Sequence, residues 1–480
     1  MPTESSRFEG VSGLQIEFTD RSVSGWGGLC LPFEFFEKAG VHAVLKRALP
    51  DGRVSPNQIP VVDQVMSLFA TILTGGRRFE HVERLRGDKV ATAILGIDRI
   101  PSGSTLVRYF GGFVRSQVEH LSECLNELTK RMLTCPDEGE VVDLDSSVFE
   151  RYGGQEGSLK GYNPQKRGRP SHHPLFAMGA TSRKILHCWL RSGNTGSARG
   201  VEQFLVELCA ALPADFRIRA VRADSGFFQA SFLADLERRG LSYAIVARSS
   251  NHLKRLVCQI SEWKPFGEGL ESGETLLELP TWGKPRRLVV VREEIKCRPE
   301  ARGRQLFDLP GYKFHFVVTN MELPAEDVWR FYNGRADCEN RLKEFKYDFA
   351  ADGFCLGSFD GTEAVLRLNV FLHNLIAEFK QHVADKAVAQ LGTLRHAFLV
   401  IGAILGRDGH RTVLRLGLTK RLQKRFEAWK SRLQNWAAST AAQLTQTIQN
   451  ASLDDPRPWK RRPTKRSSKP GLNAWYLYPN

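Results

Sequence analysis

The sequence lacks long apolar runs: nowhere in its 480 residues do about 18 consecutive apolar residues occur. Its first ten residues are polar and charged, without the apolar segment of a secretory signal. The nine cysteines are scattered, and none forms a C-x-x-C or Cys/His cluster with the spacing of a zinc site. These absences predict a protein that is neither exported nor membrane-spanning, with reduced thiols and a cytoplasmic location.

Acidic residues are too few to balance the basic ones. The chain has 68 Lys and Arg against 53 Asp and Glu, a formal net charge of +15. Such a surplus indicates a polyanionic partner, with nucleic acid ahead of an acidic membrane. A soluble basic protein without such a partner has the same balance, so charge leaves that alternative open.

The spacing of apolar residues divides the chain into regions. In order they are a helical N-terminal region (1–136), strands alternating with helices (137–251), a β-rich insertion (252–311), a return of the strand-and-helix pattern (312–362), and a helical C-terminal region with a basic tail (363–480). The apolar spacing predicts one helix over about 324–349 and another over 392–406, and the basic tail spans residues 457–469. The second region follows the order three strands, helix, strand, helix, strand. This order is that of a ribonuclease-H-like core, a mixed α/β sheet.

The N-terminal region contains a turn followed by a basic and aromatic helix over residues 100–110. This pattern suits a helix-turn-helix-like DNA reader, although a plain helical connection explains it equally well. We therefore interpret residues 1–136 as a helical DNA-binding region.

One helix carries a notable set of charged side chains. At about 100° per residue, Tyr332, Arg335, Glu339 and Lys346 fall within about 60° of one another, with Lys343 on the same stripe. The neighbouring stripe is wholly apolar and can face a core. A solvated helix with ordinary charge pairs, such as Glu339 with Lys343, is the alternative.

Carboxylates stand at the ends of two predicted strands. Asp143 and Asp145 share one face of the strand over residues 141–149, because side chains alternate with a period of two. Asp224 ends the strand over residues 218–224. Polar groups at strand ends lie where ligands bind in α/β sheets. Helix capping or turn formation is the other role open to each aspartate.

Several motifs together resemble one protein family. They are Tyr332-x2-Arg-x3-Glu-x6-Lys346, Asp143-Leu-Asp-Ser-Ser147, Gln155-Glu-Gly157 with Gly161-Tyr-Asn-Pro164, Arg191-Ser-Gly-Asn-Thr195, Arg222-Ala-Asp-Ser-Gly-Phe227, and Arg335-Ala-Asp-Cys-Glu-Asn340 with Lys343-Glu-Phe-Lys-Tyr-Asp348. The chain is similar to DDE transposases of bacterial insertion sequences, in the IS-four-like superfamily and closest to the IS-thirteen-eighty group. The motifs cover about residues 140–350.

The resemblance implies a catalytic, metal-binding triad of Asp145, Asp224 and Glu339. The family pattern Asp-x-Ser/Thr selects Asp145, and Asp143 is the reserve candidate. Three carboxylates of this kind hold two Mg²⁺ ions, which Mn²⁺ can replace, for in-line phosphoryl displacement.

The remaining candidate residues are expected to contact DNA. They are Tyr332, Arg335, Lys343 and Lys346 on the helix; Lys166, Arg167 and Arg169 in a basic loop; and Trp282, which resembles a tryptophan that stacks on a flipped base. A buried tryptophan is the alternative for Trp282. His172 and His173 lack partner ligands, so we expect them in a surface loop.

These expectations predict a transposase that binds the terminal inverted repeats of its element, cleaves the ends and joins them to target DNA. Two ends must be brought together, so a homodimer or higher assembly on double-stranded DNA is expected, in the bacterial cytoplasm and at the nucleoid. The alternatives are a transposase-derived DNA-binding protein without activity and a metal-dependent nuclease that cuts without joining.

Overall fold

Helices form most of the two ends of the chain in the computed structural model, which describes residues 8–9, 13–51, 55, 57–163, 166–295, 312–386 and 390–453. The helices are α1 (Cys30–Lys38), α2 (Val41–Ala48), α3 (Val61–Leu73), α4 (Lys89–Leu95), α5 (Gly103–Phe110), α6 (Arg115–Arg131), α7 (Val201–Ala211), α8 (Ala230–Arg238), α9 (Asn251–Val257), α10 (Ala325–Asn333), α11 (Ala336–Tyr347), α12 (Phe359–His382), α13 (Leu391–Leu394) and α14 (Lys420–Leu453).

The strands concentrate in the middle of the chain. They are β1 (Phe8–Glu9), β2 (Gln15–Ile16), β3 (Val23–Ser24), β4 (Glu140–Ser146), β5 (Phe149–Glu150), β6 (Leu159–Lys160), β7 (Pro170–His172), β8 (Leu175–Gly179), β9 (Ile185–Trp189), β10 (Ile218–Ala223), β11 (Ser242–Val246), β12 (Lys264–Gly267), β13 (Leu270–Leu277), β14 (Arg286–Glu294), β15 (Tyr312–Thr319), β16 (Gly402–Asp408) and β17 (Arg411–Gly417). The chain divides into one unit over Met1–Leu433 and a second over Gln434–Asn480.

A nine-stranded mixed sheet forms the centre of the larger unit, in the order β12-β13-β14-β15-β11-β10-β4-β8-β9. Strands β4, β10 and β11 run parallel to one another, and their neighbours on both sides are antiparallel. The apolar residues of these three strands are buried, as expected for parallel strands covered on both faces. The chain is therefore a mixed α/β protein whose parallel strands lie in the middle of the sheet.

The two faces of β4 and β10 carry different chemistry. On one face, Val142, Leu144 and Val221 pack into a core that includes apolar residues of α7 and α8. The opposite face carries Asp143 and Arg222, and α11 lies over it. The alternation of apolar and charged side chains in these strands thus places Asp143 and Arg222 on the side of α11.

The predicted β-rich insertion contributes strands to the central sheet. Strand β14 pairs antiparallel with β15 over eight residues, from Arg287↔Thr319 to Glu294↔Tyr312, and β13 and β12 continue outward. Its Val289 and Val291 side chains are buried beside α10. These strands cover the edge of β15, which would otherwise present unpaired backbone groups. Residues 296–311 of the predicted insertion lie outside the described residues.

The single helix predicted over about 324–349 is two helices. Helix α10 ends at Asn333 and α11 begins at Ala336, with Gly334 and Arg335 between them in right-handed conformations. Arg222 occupies the space beside Gly334, where an added Cβ would lie 2.3 Å from its Nη1 atom. The close approach of Arg222 explains why the chain needs glycine at this junction.

The C-terminal region contains a hairpin as well as helices. The helix predicted over 392–406 is wrong in its second part, because residues 402–408 form β16, which pairs with β17. A short apolar segment such as Ala403–Leu405 has no decisive period, and the neighbouring β3 offers a pairing edge. The predicted basic tail, residues 457–469, lies outside the described residues.

The N-terminal and C-terminal regions pack against each other. The rings of Phe35 in α1 and Phe379 in α12 lie 5.6 Å apart, and those of Phe69 and Phe371 lie 6.5 Å apart. Backbone pairing of β3 with β16 joins the same two regions.

Among the described residues, no helix is long and apolar enough to cross a membrane.

Candidate functional site

Asp145 and Asp224 lie side by side at the carboxyl ends of two parallel strands. Leu144 of β4 pairs with Ala223 of β10, so the next residue of each strand is one of the two aspartates. Asp145 Oδ1 accepts a hydrogen bond of 2.8 Å from the Ser146 N–H, and Asp224 Oδ1 accepts one of 2.9 Å from the Gly226 N–H. Asp224 therefore also caps the turn that follows its strand, which was the alternative role left open by the sequence, whereas the Asp145 bond stays within β4.

Arg335 is the cation at the centre of the site. It is buried, and its Nη2 atom lies 3.2 Å from Asp145 Oδ2 while Nη1 donates a bond of 2.7 Å to Glu339 Oε1. Burial lowers the pKa of Arg335, but the charges of Asp145, Tyr332 and Asp224 raise it further, so the net pKa lies above its usual range. The guanidinium is thus a fixed positive charge held between two of the predicted triad residues.

Burial raises the pKa of Asp145 to about 6; Arg335 opposes this shift, whereas Asp224 and Glu339 add to it. The mutual repulsion of carboxylates in a confined site has this effect whenever cations do not fully balance them. Burial is therefore the main reason that Asp145 is harder to ionise, and the neighbouring acids add to it.

Glu339 is held apart from the two aspartates. Its side chain is 50% exposed and is directed to Arg335, one helical turn earlier. Among the described residues, no group of three or more His, Cys, Asp or Glu side chains is arranged to hold a metal ion. The structure therefore brings Asp145 and Asp224 together and places Glu339 on the far side of the Arg335 guanidinium.

Asp143, the reserve candidate, has a different environment. It is fully buried and accepts hydrogen bonds of 2.6 Å from Arg222 Nε and 2.8 Å from Arg222 Nη2. Arg341 Nη2 lies 3.9 Å from its Oδ2 atom. A bidentate pair of this geometry engages both carboxylate oxygens, so the charge of Asp143 is already balanced by an arginine of the protein.

The predicted phosphate-binding residues differ in exposure. Burial raises the pKa of Tyr332, which stacks on Trp329 with ring centroids 6.1 Å apart. Lys346 Nζ donates a hydrogen bond of 2.7 Å to the carbonyl oxygen of Val148, just beyond β4, and burial lowers its pKa. Lys343 is exposed on the same helix. Tyr332 and Lys346 thus belong to the walls of the site, and Lys343 to its rim.

The basic loop lies between β6 and β7. Lys166, Arg167 and Arg169 are all exposed. Lys166 Nζ donates a bond of 2.8 Å to Glu150 Oε2, and the Arg169 guanidinium lies 4.6 Å from the centre of the Tyr152 ring. Two of the three predicted cations are therefore tied to residues 150–152.

Trp282 is half-buried and packs against the core of the sheet. Its ring lies 4.7 Å from that of Phe228, four residues after Asp224, and 5.2 Å from the Arg286 guanidinium carbon. This position next to the Asp224 loop is compatible with both interpretations made from the sequence.

The prediction that His172 and His173 lie in a surface loop is wrong, because both are buried. His172 Nδ1 accepts a bond of 2.9 Å from Arg151 Nε, and its Nε2 bonds to the Glu156 carbonyl oxygen at 2.8 Å. Burial lowers the pKa of His172 to about 4. These backbone and guanidinium partners could not be recognised from spacing alone.

Two further features shape the site, although the sequence analysis gave them no role: the Arg191 side chain and the contact between Ser146 and Ser197. Arg191 is buried and donates from Nη1 to the carbonyl oxygens of Gly196, Ser197 and Arg199, which shapes the loop after β9. The Ser197 hydroxyl in that loop lies 3.0 Å from the Ser146 hydroxyl, beside Asp145. Arg191 and Ser146 both lie within quoted family motifs, which was the signal available in the sequence.

Comparison with protein-family models identifies the class of protein. Residues 8–438 match the model described as transposase DDE domain group 1. The match spans nearly the whole chain, and the chain therefore belongs to this family of DDE transposases. No curated protein sequence matches it.

Among solved structures, the chain is similar to the piggyBac transposase in a cryo-EM structure of its synaptic complex with hairpin DNA. The two share 12% sequence identity, with a TM-score of 0.42, and the match covers 91% of this chain and 85% of that one. The family assignment depends on the family match alone.

Proposed function

We propose that this chain is an active transposase, which binds the terminal inverted repeats of its element, cleaves the ends and joins them to target DNA. The observation that carries the proposal is the register of β4 and β10, which sets Asp145 beside Asp224. Glu339 is separated from them by a single ion-paired guanidinium. In the proposed triad Asp145 and Asp224 are adjacent, and Glu339 joins them when Arg335 releases it.

The donor set fits Mg²⁺, because carboxylate oxygens are the ligands this ion prefers, and Mn²⁺ can use the same groups. Asp145 and Asp224 would hold the ions together with Glu339 once that side chain leaves Arg335. Burial raises the pKa of Asp145, and a bound divalent cation would offset this cost by favouring the ionised carboxylate. When bound, two such ions supply activation of a water or 3′-hydroxyl and stabilisation of the leaving oxygen.

The protein's own cations have separate tasks in the proposed reaction. Arg335 can turn from Glu339 to a DNA phosphate, to which a guanidinium binds through two parallel N–H donors. Lys346, whose ammonium is fixed on the Val148 carbonyl oxygen, provides a point charge beside the same edge. Tyr332 packs behind Arg335 and limits its movement.

Strand topology supports the ribonuclease-H-like description of the core. Taking β4, β8, β9, β10 and β11 as strands one to five, their order in the sheet is 3-2-1-4-5, with the first three antiparallel. The order of these elements along the chain is three strands, helix, strand, helix, strand, which the sequence predicted. We further propose membership of the IS-thirteen-eighty group, a bacterial origin with action at the nucleoid, and a homodimer or higher assembly on DNA, with residues 1–136 contributing to DNA binding.

Incubating the protein with Mg²⁺, element-end DNA and a target plasmid tests this proposal. Joined products are expected. Cuts without joining would instead favour a nuclease, and a mobility shift without cutting would favour a transposase-derived DNA-binding protein. Either of these results would overturn the proposed function.

A further inference from the structure

An exposed aromatic ring stands among cations in the segment between β5 and β7. Tyr152 is 69% exposed. Lys160, Lys166, Arg167 and Arg169 are exposed in the same segment. Aromatic rings interleaved with cations are typical of single-stranded nucleic-acid sites.

The Tyr152 ring is held in place at its hydroxyl edge. The Tyr152 hydroxyl donates a hydrogen bond of 2.9 Å to Glu150 Oε2. Lys166 Nζ donates to the same carboxylate at 2.8 Å and to the Tyr152 oxygen at 2.9 Å. The Lys166 bond is the main cause that lowers the pKa of Glu150. This triangle fixes the orientation of an otherwise solvent-exposed ring.

Arg169 adds a second planar group. Its guanidinium carbon lies 4.6 Å from the centre of the Tyr152 ring, the geometry of a cation–π contact. The ring remains mostly exposed despite this contact. Tyr152 and Arg169 therefore form a stacked pair whose outer aromatic surface is available to a planar ligand.

The stacked pair is connected to the candidate active site. Glu150, which anchors Tyr152, follows Phe149 in β5. Lys346 Nζ lies 6.0 Å from the centre of the Phe149 ring and bonds to the carbonyl oxygen of the preceding residue, Val148. The exposed face of Tyr152 therefore lies only a few side chains away from a DNA strand that is bound at Lys346.

We propose that Tyr152, backed by Arg169, binds an unpaired base of the DNA strand next to the cleavage point. The proposal rests on the proposed function. Every base presents a π-face, and stacking on an aromatic ring is largely independent of sequence. In an intact duplex those faces are covered by neighbouring base pairs, so the site selects an unstacked base. The surrounding exposed cations complement the phosphates on either side.

Affinity for a single-stranded oligonucleotide and for its blunt duplex tests this site in the full-length protein. Tyr152→Leu should weaken single-strand binding by about 5- to 140-fold, the range expected for loss of one stacked base. Tyr152→Phe should retain most of the affinity, because the ring remains. Duplex binding should change little in either variant. A 2-aminopurine in the strand should be quenched by the wild type and Tyr152→Phe but not by Tyr152→Leu.

Tyr162→Leu is the matched control, since Tyr162 is 75% exposed in the same segment and no cation lies over its ring among the described residues. This variant should bind both DNAs like the wild type. Equal losses in the Tyr152 and Tyr162 variants, or an unchanged Tyr152→Leu, would overturn the assignment. End cleavage by the wild type, assayed in parallel, separates the two proposals: cutting with an unaffected Tyr152→Leu rejects only the base site, and a base site without cutting rejects only transposition.

Discussion

Arg335 donates a 2.7 Å hydrogen bond to Glu339, one helical turn further along, although both residues belong to the proposed catalytic site. A guanidinium in this position competes with a divalent cation for the same carboxylate. Removing its charge should therefore favour metal binding in the absence of DNA. The Arg335 guanidinium acts as an internal counterion of Glu339, and a metal ion must displace it.

Arg335→Gln should raise the affinity for Mn²⁺ by at least about two- to fivefold, the factor expected from losing the half-exposed pair with Glu339 alone, and the buried pair with Asp145 is lost as well. Electron paramagnetic resonance titration of Mn²⁺ into DNA-free protein measures this directly. Arg330→Gln is the control, because Arg330 forms an exposed pair with Asp327 on α10. Unchanged or weaker Mn²⁺ binding by Arg335→Gln would contradict the competition.

Replacing any of the three acids should remove the chemistry while sparing DNA binding. Asp145→Asn, Asp224→Asn and Glu339→Gln each delete a metal ligand without changing side-chain size, so cleavage of element-end DNA should fall below detection. Mobility shifts with the same DNA should remain close to the wild type. Cleavage at the wild-type rate by one of these variants would remove that residue from the triad.

Burial raises the pKa of both Asp143 and Asp145, but the two residues should affect folding stability in opposite directions because Asp143 is the bidentate partner of a buried arginine. Asp143→Asn leaves the buried Arg222 charge without its partner, which should lower the free energy of unfolding by about 3–5 kcal/mol. Asp145→Asn removes a carboxylate that is harder to ionise when folded, and should raise it by up to about 3 kcal/mol at neutral pH. Urea unfolding with EDTA present measures both changes.

The pH dependence provides the check on Asp145. Its pKa is about 6 in the folded protein against the ordinary aspartate value of 3.8, so the folded state binds more protons between these two pH values. The Asp145 contribution to wild-type stability therefore falls as pH rises through this window. The advantage of Asp145→Asn should be small near pH 4 and complete by neutral pH. A pH-independent difference would refute this origin.

Lys346 and Lys343 lie on one helix, but substituting them should have different effects on DNA binding and cleavage. Lys346→Met removes an ammonium fixed on the Val148 carbonyl oxygen, so we expect cleavage to drop more than DNA affinity. Lys343→Met removes an exposed charge. Its main effect should be to reduce the slope of log affinity against log salt concentration by about one. Cleavage rates and affinities across a salt series separate the two. Identical behaviour of the variants would argue against a special role for Lys346.

The sequence predicted the site where a short-range rule applied. Period-two alternation placed Asp143 and Asp145 on one strand face, and the motif match to the transposase family gave Asp145, Asp224 and Glu339 together. It could not predict that Arg222 engages Asp143, because that pairing depends on the register between β4 and β10, strands 79 residues apart at this pair.

The sequence analysis failed mainly in predicting which polar side chains are buried. His172 and His173 follow a basic loop in the sequence, yet their partners are Arg151 and distant backbone carbonyl groups, which no local pattern reveals. The hairpin at residues 402–417 was missed for a related reason. Its pairing partner, β3, lies almost four hundred residues earlier.

The pairing of β3 with β16, and the packing of α1 and α3 on α12, have a consequence during synthesis. An N-terminal segment released from the ribosome must wait for residues 371–379 before Phe35 and Phe69 acquire these partners, and for residues beyond 400 before β3 pairs with β16. A fragment ending at residue 136 would expose these rings, and we expect it to aggregate. Newly made protein thus acquires its N-terminal fold only when translation is nearly finished.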